Sequence, residues 1–269
     1  MKKVLNGMII GLSVLILAAC GNAQANETLT AQDVYERAKE ASSKLKQVRT
    51  TVVYEDFWRT TVPDERMSVK YEMTSDAQLQ PDQFKQRVNV NPLGEKSWQA
   101  DVYKVNDRLF IKKDGESTME EVASGSMTEL FGTMIAAVNP TLDFTIFEPF
   151  ADDFELEKID YGYRLKLTLS REQYKEFRKH MLAEVTEEAL AEIEDEYPLI
   201  NKFEMEISID GLTYFVSNFK MTLDTTAYST TKIDGNSHRI KQKMNAGYSR
   251  FNDVETVNLP AAVQEAVAQ

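Results

Sequence analysis

Cysteine and histidine, the residues that most often carry catalysis and metal binding, are scarce in this chain. Of its 269 residues one is cysteine and two are histidine. A lone thiol closes no intramolecular disulfide and builds no cysteine-based metal site. Nucleophilic catalysis needs a base beside the nucleophile. Neither His180, flanked by Arg178 and Lys179, nor His238, after Asp234-Gly235-Asn236, neighbours a nucleophile signature. Each reads as a solvated or locally bonded imidazole. No phosphate-cradling glycine motif and no nicotinamide fingerprint occurs among the 11 glycines. Basic residues are also few, 31 Lys and Arg against 43 Asp and Glu, for a formal charge of -12. That balance repels phosphate backbones, so no nucleic-acid partner is expected. It also argues against a polybasic contact with anionic headgroups.

Acid is abundant but not arranged for a metal. Glu184, Glu187, Glu188, Glu192, Glu194, Asp195 and Glu196 fall on a predicted helix whose buried stripe is Val185, Ala189 and Ile193. Side chains fanned around a helix do not converge on one cation, which wants six to eight oxygens from a turning loop. Asp152-Asp153 and Asp234-Gly235-Asn236 lack the other positions of a calcium loop. The expectation is a non-enzymatic protein with no cofactor and no metal.

Long apolar runs are confined to the N-terminus. Lys2 and Lys3 precede the stretch Met8–Ile16, then Leu17-Ala18-Ala19-Cys20-Gly21. A basic start, a short hydrophobic segment and small residues at a cut are the marks of an export signal. Val4–Ala19 falls short of the ~20 apolar residues a span requires. Leu17-Ala18-Ala19-Cys20 resembles the lipobox of bacterial lipoproteins. That resemblance implies cleavage after residue 19 and a diacylglycerol on the Cys20 thiol, as lipidation site. Two acyl chains suffice for a stable anchor where one is marginal. Losing residues 1–19 removes Lys2 and Lys3 and no acid, so the charge moves from -12 to -14. The predicted organisation is a signal peptide over 1–19, a flexible tether over 20–29 and a single domain over 30–269. The expected address is the outer face of the cell membrane, held through lipid on Cys20.

The domain reads as α+β. Thr30-Ala31-Gln32-Asp33 opens a predicted helix with Val34, Ala38, Ala41 and Leu45 on one stripe. From Val48 the period changes to two, with Val52, Tyr54 and Asp56 opposing Val53, Glu55 and Phe57. Met67, Val69, Tyr71 and Met73 alternate likewise. Phe84–Val90, Ser97–Val105 and Arg108–Lys113 complete a five-strand antiparallel meander, with Asn106-Asp107 as a turn. Ser126-Met127-Thr128-Glu129 fits a capping box ahead of a buried helix over Leu130–Val138. Strands are predicted again at Phe144–Phe147, Phe154–Asp160 and Tyr163–Leu169, with a turn at Tyr161-Gly162. A second capping box, Ser170-Arg171-Glu172-Gln173, starts a helix with Tyr174, Phe177 and Met181 inward. Phe203–Ile209, Thr213–Leu223 and His238–Phe251 form the last strand group, its first two joined at Asp210-Gly211. A short helix with Val263 and Val267 closes the chain. The sum is roughly ten strands in one antiparallel sheet, large enough to curl, with helices covering its concave side.

Those features together resemble the LolA-like and LppX-like half-barrel superfamily of the bacterial envelope. The resemblance rests on the Ala-Gln-Asp-Val-Tyr-Glu-Arg-Ala opening helix, the strand entered through Val48-Arg49-Thr50, the Leu130–Val138 helix and the segment Ile207–Tyr214. The closing Tyr248-Ser249-Arg250-Phe251-Asn252-Asp253-Val254 with Leu259-Pro260 is similar to poorly characterised lipoproteins of Gram-positive bacteria. It implies a half-open barrel with an apolar cavity between sheet and helices, used by relatives for acyl chains or lipidated protein. LolA itself lacks a lipidated cysteine, so the resemblance with Cys20 points to a fixed holder. Candidate pocket residues are Trp58, Tyr71, Met73, Trp98, Tyr103 and Phe110 on the meander, with Phe131, Met134 and Ile135 on the covering helix. Ordinary core packing is the plainer account of most of them. Eleven methionines favour an adaptable apolar surface. The reading is a membrane-anchored extracytoplasmic lipoprotein binding a hydrophobic or lipid-like ligand. Its alternative is a structural lipoprotein with a filled core and an envelope protein partner.

Overall fold

The computed structural model describes residues 29–60, 65–106, 108–122, 141–181, 199–228 and 237–268, except the side chains of 178–181. Cys20, the Leu130–Val138 helix with Phe131, Met134 and Ile135, and the acidic stretch 184–196 lie outside the described residues. Ala31–Gln269 clusters as one compact unit. Its frame is a single antiparallel sheet of eleven strands in the order β6-β5-β4-β3-β2-β1-β11-β10-β9-β8-β7. The strands are β1 Gln47–Thr60, β2 Arg66–Leu79, β3 Asp82–Pro92, β4 Trp98–Val105, β5 Arg108–Lys113 and β6 Glu120–Val122. They continue as β7 Glu155–Ile159, β8 Gly162–Thr168, β9 Leu199–Asp210, β10 Val216–Tyr228 and β11 Ser237–Ser249. The chain builds outward from β1 to β6, then returns from the other edge inward until β11 docks beside β1. The two edges, β6 and β7, do not pair, so the sheet is not closed into a barrel.

Cross-strand register fixes which residues share a face. One row runs across nine strands as Leu156, Leu165, Ile207, Phe219, Ala246, Val52, Met73, Val88 and Ala100. All but Leu156 are buried. This defines an inner face, and three short elements pack on its β8–β10 side. Helix α1, Ala31–Ser43, buries Val34, Tyr35 and Ala38. A 3-10 helix, Phe144–Asp153, buries Phe144, Phe147 and Phe150. Helix α2, Arg171–Met181, sets Phe177 against Phe203 of β9, ring centroids 5.1 Å apart. Phe147 bridges these layers, 5.9 Å from Phe177 and 6.4 Å from Phe219. Tyr35 ties α1 down by donating its hydroxyl to the Phe144 carbonyl at 2.6 Å. Burial pushes that phenol well above its ordinary pKa.

The capping box at α2 is present: Ser170 N–H donates to Gln173 Oε1 at 3.0 Å and Gln173 N–H to Ser170 Oγ at 3.3 Å. Phe144–Phe147, expected as a strand, is instead the start of the 3-10 helix. Asp143 accepts from the Thr145 backbone N–H at 2.8 Å and caps it. A three-residue turn places Phe144, Phe147 and Phe150 on one face, which a strand would not. The expected turn at Tyr161-Gly162 falls at Asp160-Tyr161, with Gly162 already in β8. A Cβ at Gly162 would lie 2.1 Å from the Ile209 carbonyl oxygen, an approach only glycine permits. Asp210-Gly211 is not a two-residue hairpin either, since β10 resumes only at Val216. Asp210 accepts there from Thr213 N–H at 2.8 Å, Thr213 Oγ at 2.7 Å and Leu212 N–H at 3.1 Å, shaping a longer loop. These bonds hold its carboxyl below the usual carboxylate range.

Candidate functional site

The inner face changes character along the strand direction, and register makes the change readable row by row. Beyond the buried apolar row comes Met205-Met221-Met244-Tyr54-Tyr71-Val90-Trp98. Next is Leu223-Gln242-Asp56-Val69-Pro92, then Ile240-Trp58-Met67 at the rim. On β1 and β2 burial falls off in the same direction, while Leu223 and Thr225 of β10 stay buried. Met73 is buried, Tyr71 and Trp98 are half-buried, and Trp58 and Met67 are 39% and 61% exposed. Most exposed apolar side chains of globular proteins are scattered singly. Here Trp58, Met67, Val69, Ile240 and Tyr71 are neighbours on one face of three adjacent strands, forming an apolar ledge.

Asp56 sits inside that ledge. Its position on β1 follows from strand alternation: Val52, Tyr54, Asp56 and Trp58 all point the same way. Loss of water around the carboxyl raises its pKa, opposed by hydrogen bonds from the Trp58 indole, the Gln242 amide and the Phe57 backbone. Its Oδ1 is buried and has no hydrogen-bond partner among the described residues. Tyr71, whose ring centroid lies 5.9 Å from that of Tyr54, has its hydroxyl pushed up first by burial and then by the Asp56 charge. A polar row crosses the other side of the apolar one, through Thr50, Ser75 and Gln86. Gln86 Nε2 donates to Ser75 Oγ at 2.9 Å, and Gln86 Oε1 is buried without a partner among the described residues.

Of the residues singled out by sequence, Trp58, Tyr71, Met73 and Trp98 therefore come together on the inner face. Tyr103 and Phe110 do not join them. They pair across β4 and β5 on the outer face, since Val102 and Ile111 take the inner positions. Helix α3, Ala261–Val267, packs over them through the fully buried Val263, with Val105, Leu259, Ala266 and Met119 around it. Arg108 locks this cover by donating to the Ala266 carbonyl at 2.6 Å and pairing with Glu121 at 2.7 Å. Sequence reasoning recognised helix α3 but not its seat. Asp56 is in phase with Val52 and Tyr54 in the sequence, and a carboxylate in an apolar phase is the signal that marks it. A separate cavity between Ser42, Leu45, Leu142, Val216, Tyr248 and Phe251 has a volume of about 20 Å³. That is room for one water and not for an acyl chain.

No group of three or more His, Cys, Asp or Glu able to hold a metal ion occurs among the described residues. Among them, no helix is long and apolar enough to cross a membrane. No curated protein matches the sequence. Among the solved structures that match, two show a distant likeness. A DUF1329 family protein from Desulfovibrio piger is 12% identical, with 88% of this chain and 97% of that one covered and a TM-score of 0.34. A beta-barrel-like protein of the DUF1849 domain from Brucella abortus is 7% identical, with 75% and 99% covered and a TM-score of 0.21. Residues 30–268 match DUF6612, described as a family of unknown function, and the chain belongs to that family.

Proposed function

We propose that this chain is a membrane-anchored extracytoplasmic lipoprotein of LolA-like half-barrel type that holds a hydrophobic or lipid-like ligand, without enzymatic turnover. The observation that carries the reading is the ledge of Trp58, Met67, Val69, Ile240 and Tyr71 on the inner face of an unclosed sheet. Fully burying one such side chain contributes ~2 kcal/mol. A ligand chain laid over Trp58 and Met67 thus gains what the fold itself leaves exposed. The two sheet edges disfavour partner binding by strand addition. Strand β6 is three residues long and carries Glu120 and Glu121, while β7 carries Glu155, Glu157 and Lys158. Short, charged edges resist pairing with another chain. Cys20 within Leu17-Ala18-Ala19-Cys20 supplies the anchor in this reading.

Native mass spectrometry with lipid extraction of residues 24–269 tests the ligand. Recovery or uptake of one apolar molecule per chain is expected. A domain that carries none and takes up none overturns the reading. For the anchor, radiolabelled palmitate should enter the full chain expressed in a Gram-positive host and should not enter the Cys20→Ala variant. Equal labelling of both would overturn it.

A further inference from the structure

The Asp56 carboxyl is an anomaly that the apolar ledge alone does not explain. A carboxylate withdrawn from water is normally paired with a cation or fully hydrogen-bonded, because desolvation is costly. The register surrounds Asp56 with Val69 and Gln242 directly across, and with Tyr54, Trp58, Tyr71, Met67, Met244 and Ile240 in the adjoining rows. None of these is Lys or Arg. The groups that do address it, the Trp58 indole and the Gln242 amide, are neutral donors. They orient the carboxyl without neutralising it. Its Oδ1 remains buried and unpartnered among the described residues. A second feature adjoins this carboxyl: aromatic rings in the same and the neighbouring rows. Tyr54 and Tyr71 meet at 5.9 Å between ring centroids, inclined by 48°, and Trp58 follows Asp56 on the same face at the exposed rim. Aromatic rings beside a carboxylate are the surroundings that recognise substituted ammonium groups. The ring faces attract the positive charge while tolerating its methyl groups.

We infer that Asp56, with the rings of Trp58 and Tyr71 beside it on the ledge, takes the ammonium head of a cationic or zwitterionic amphiphile whose chain lies along the ledge. This rests on the hydrophobic-ligand reading and adds the chemistry of the head. The arrangement is directional. The carboxyl sits one row deeper than Trp58 and Met67, so the head is held against the inner rows and the chain runs over the rim residues. The formal charge of -12 adds a long-range attraction for cations. It supplies no site, and for that reason the test must separate the two.

Binding to residues 24–269 is measured by tryptophan emission with monomeric dodecyltrimethylammonium and with dodecyldimethylamine N-oxide at pH 8. The second has the same chain and a near-isosteric head without net charge. Tighter binding of the cation by about tenfold is expected, the worth of one charge-assisted contact. Asp56→Asn should bring the two affinities together while leaving the N-oxide bound. Choline, which has the head and no chain, should bind far more weakly than either. Equal affinity of the two amphiphiles for the unmodified protein overturns the head-group assignment and leaves the hydrophobic-ligand reading intact. A preference that survives Asp56→Asn assigns it to overall charge and also overturns the Asp56 site. Choline binding as tightly as the amphiphile removes the chain from the account. Binding of neither amphiphile removes both proposals. Equal affinities on the unmodified protein overturn the head-group assignment even where the variant does not fold.

Discussion

Asp56 shows how one side chain is held at a cost to the fold. Burial raises its pKa, and the bonds from Trp58, Gln242 and Phe57 offset only part of that. The folded state therefore binds the proton more tightly than the unfolded chain, where Asp titrates near ~3.9. Its contribution to stability is fully present below that unfolded value. It is lost as pH rises through the higher folded value. Above that folded value the ionised carboxyl works against folding. Asp56→Asn should accordingly raise the urea midpoint at about pH 7, with the gain shrinking toward about pH 4. Equilibrium unfolding at the two pH values checks this. A variant less stable than the parent at neutral pH would contradict it. Residues that lower stability while facing a candidate ligand are the usual mark of function kept at the fold's expense. The pattern was legible: Val52-x-Tyr54-x-Asp56-x-Trp58 puts a carboxylate in the apolar phase of a strand. Its isolation was not, because the cross-strand neighbours Gln242 and Val69 follow from register and not from local sequence.

At the scale of elements, short amphipathic pieces cover opposite faces of the sheet. On the inner face α1, the 3-10 helix and α2 bring Tyr35, Phe147 and Phe177 onto β8–β10. On the outer face α3 seats Val263 over Tyr103 and Phe110. This separation has a testable consequence. Val263→Ala should lower stability by about 2 kcal/mol, since it deletes a fully buried branched side chain and leaves a void. Denaturant unfolding reads that loss, and the tryptophan response to ligand should be unchanged. A variant of parental stability, or one with altered ligand response, would contradict the separation. Helices α1 and α2 were readable from their caps and stripes, because those signals are local. The 3-10 helix reads as a strand in sequence because a run such as Phe144-Thr145-Ile146-Phe147 suits either period over four residues. Only the continuation to Phe150 at the same spacing of three distinguishes them. Helix α3 was readable as a helix, but its docking side was not. Tyr103 and Phe110 look like inward aromatics until pairing with Val102 and Ile111 fixes the phase.

At the scale of the whole described domain, eleven strands in one open sheet leave an apolar inner face whose burial fades along β1 and β2 toward Trp58 and Met67. The antiparallel meander and the later strand groups are legible, since alternation and turn residues recur along the chain. That β11 closes on β1, placing Ile240 and Gln242 beside Trp58 and Asp56, depends on contacts distant in sequence and was not. The central claim is that the ledge on this face binds an apolar chain. The protein carries its own probe, because its two tryptophans, Trp58 and Trp98, both lie on the inner face. The most direct measurement is tryptophan emission during titration of residues 24–269 with a monomeric neutral amphiphile. The account predicts a saturable blue shift at one equivalent, with most of the change lost in Trp58→Phe. An emission maximum that does not move, with no ligand retained, would contradict it.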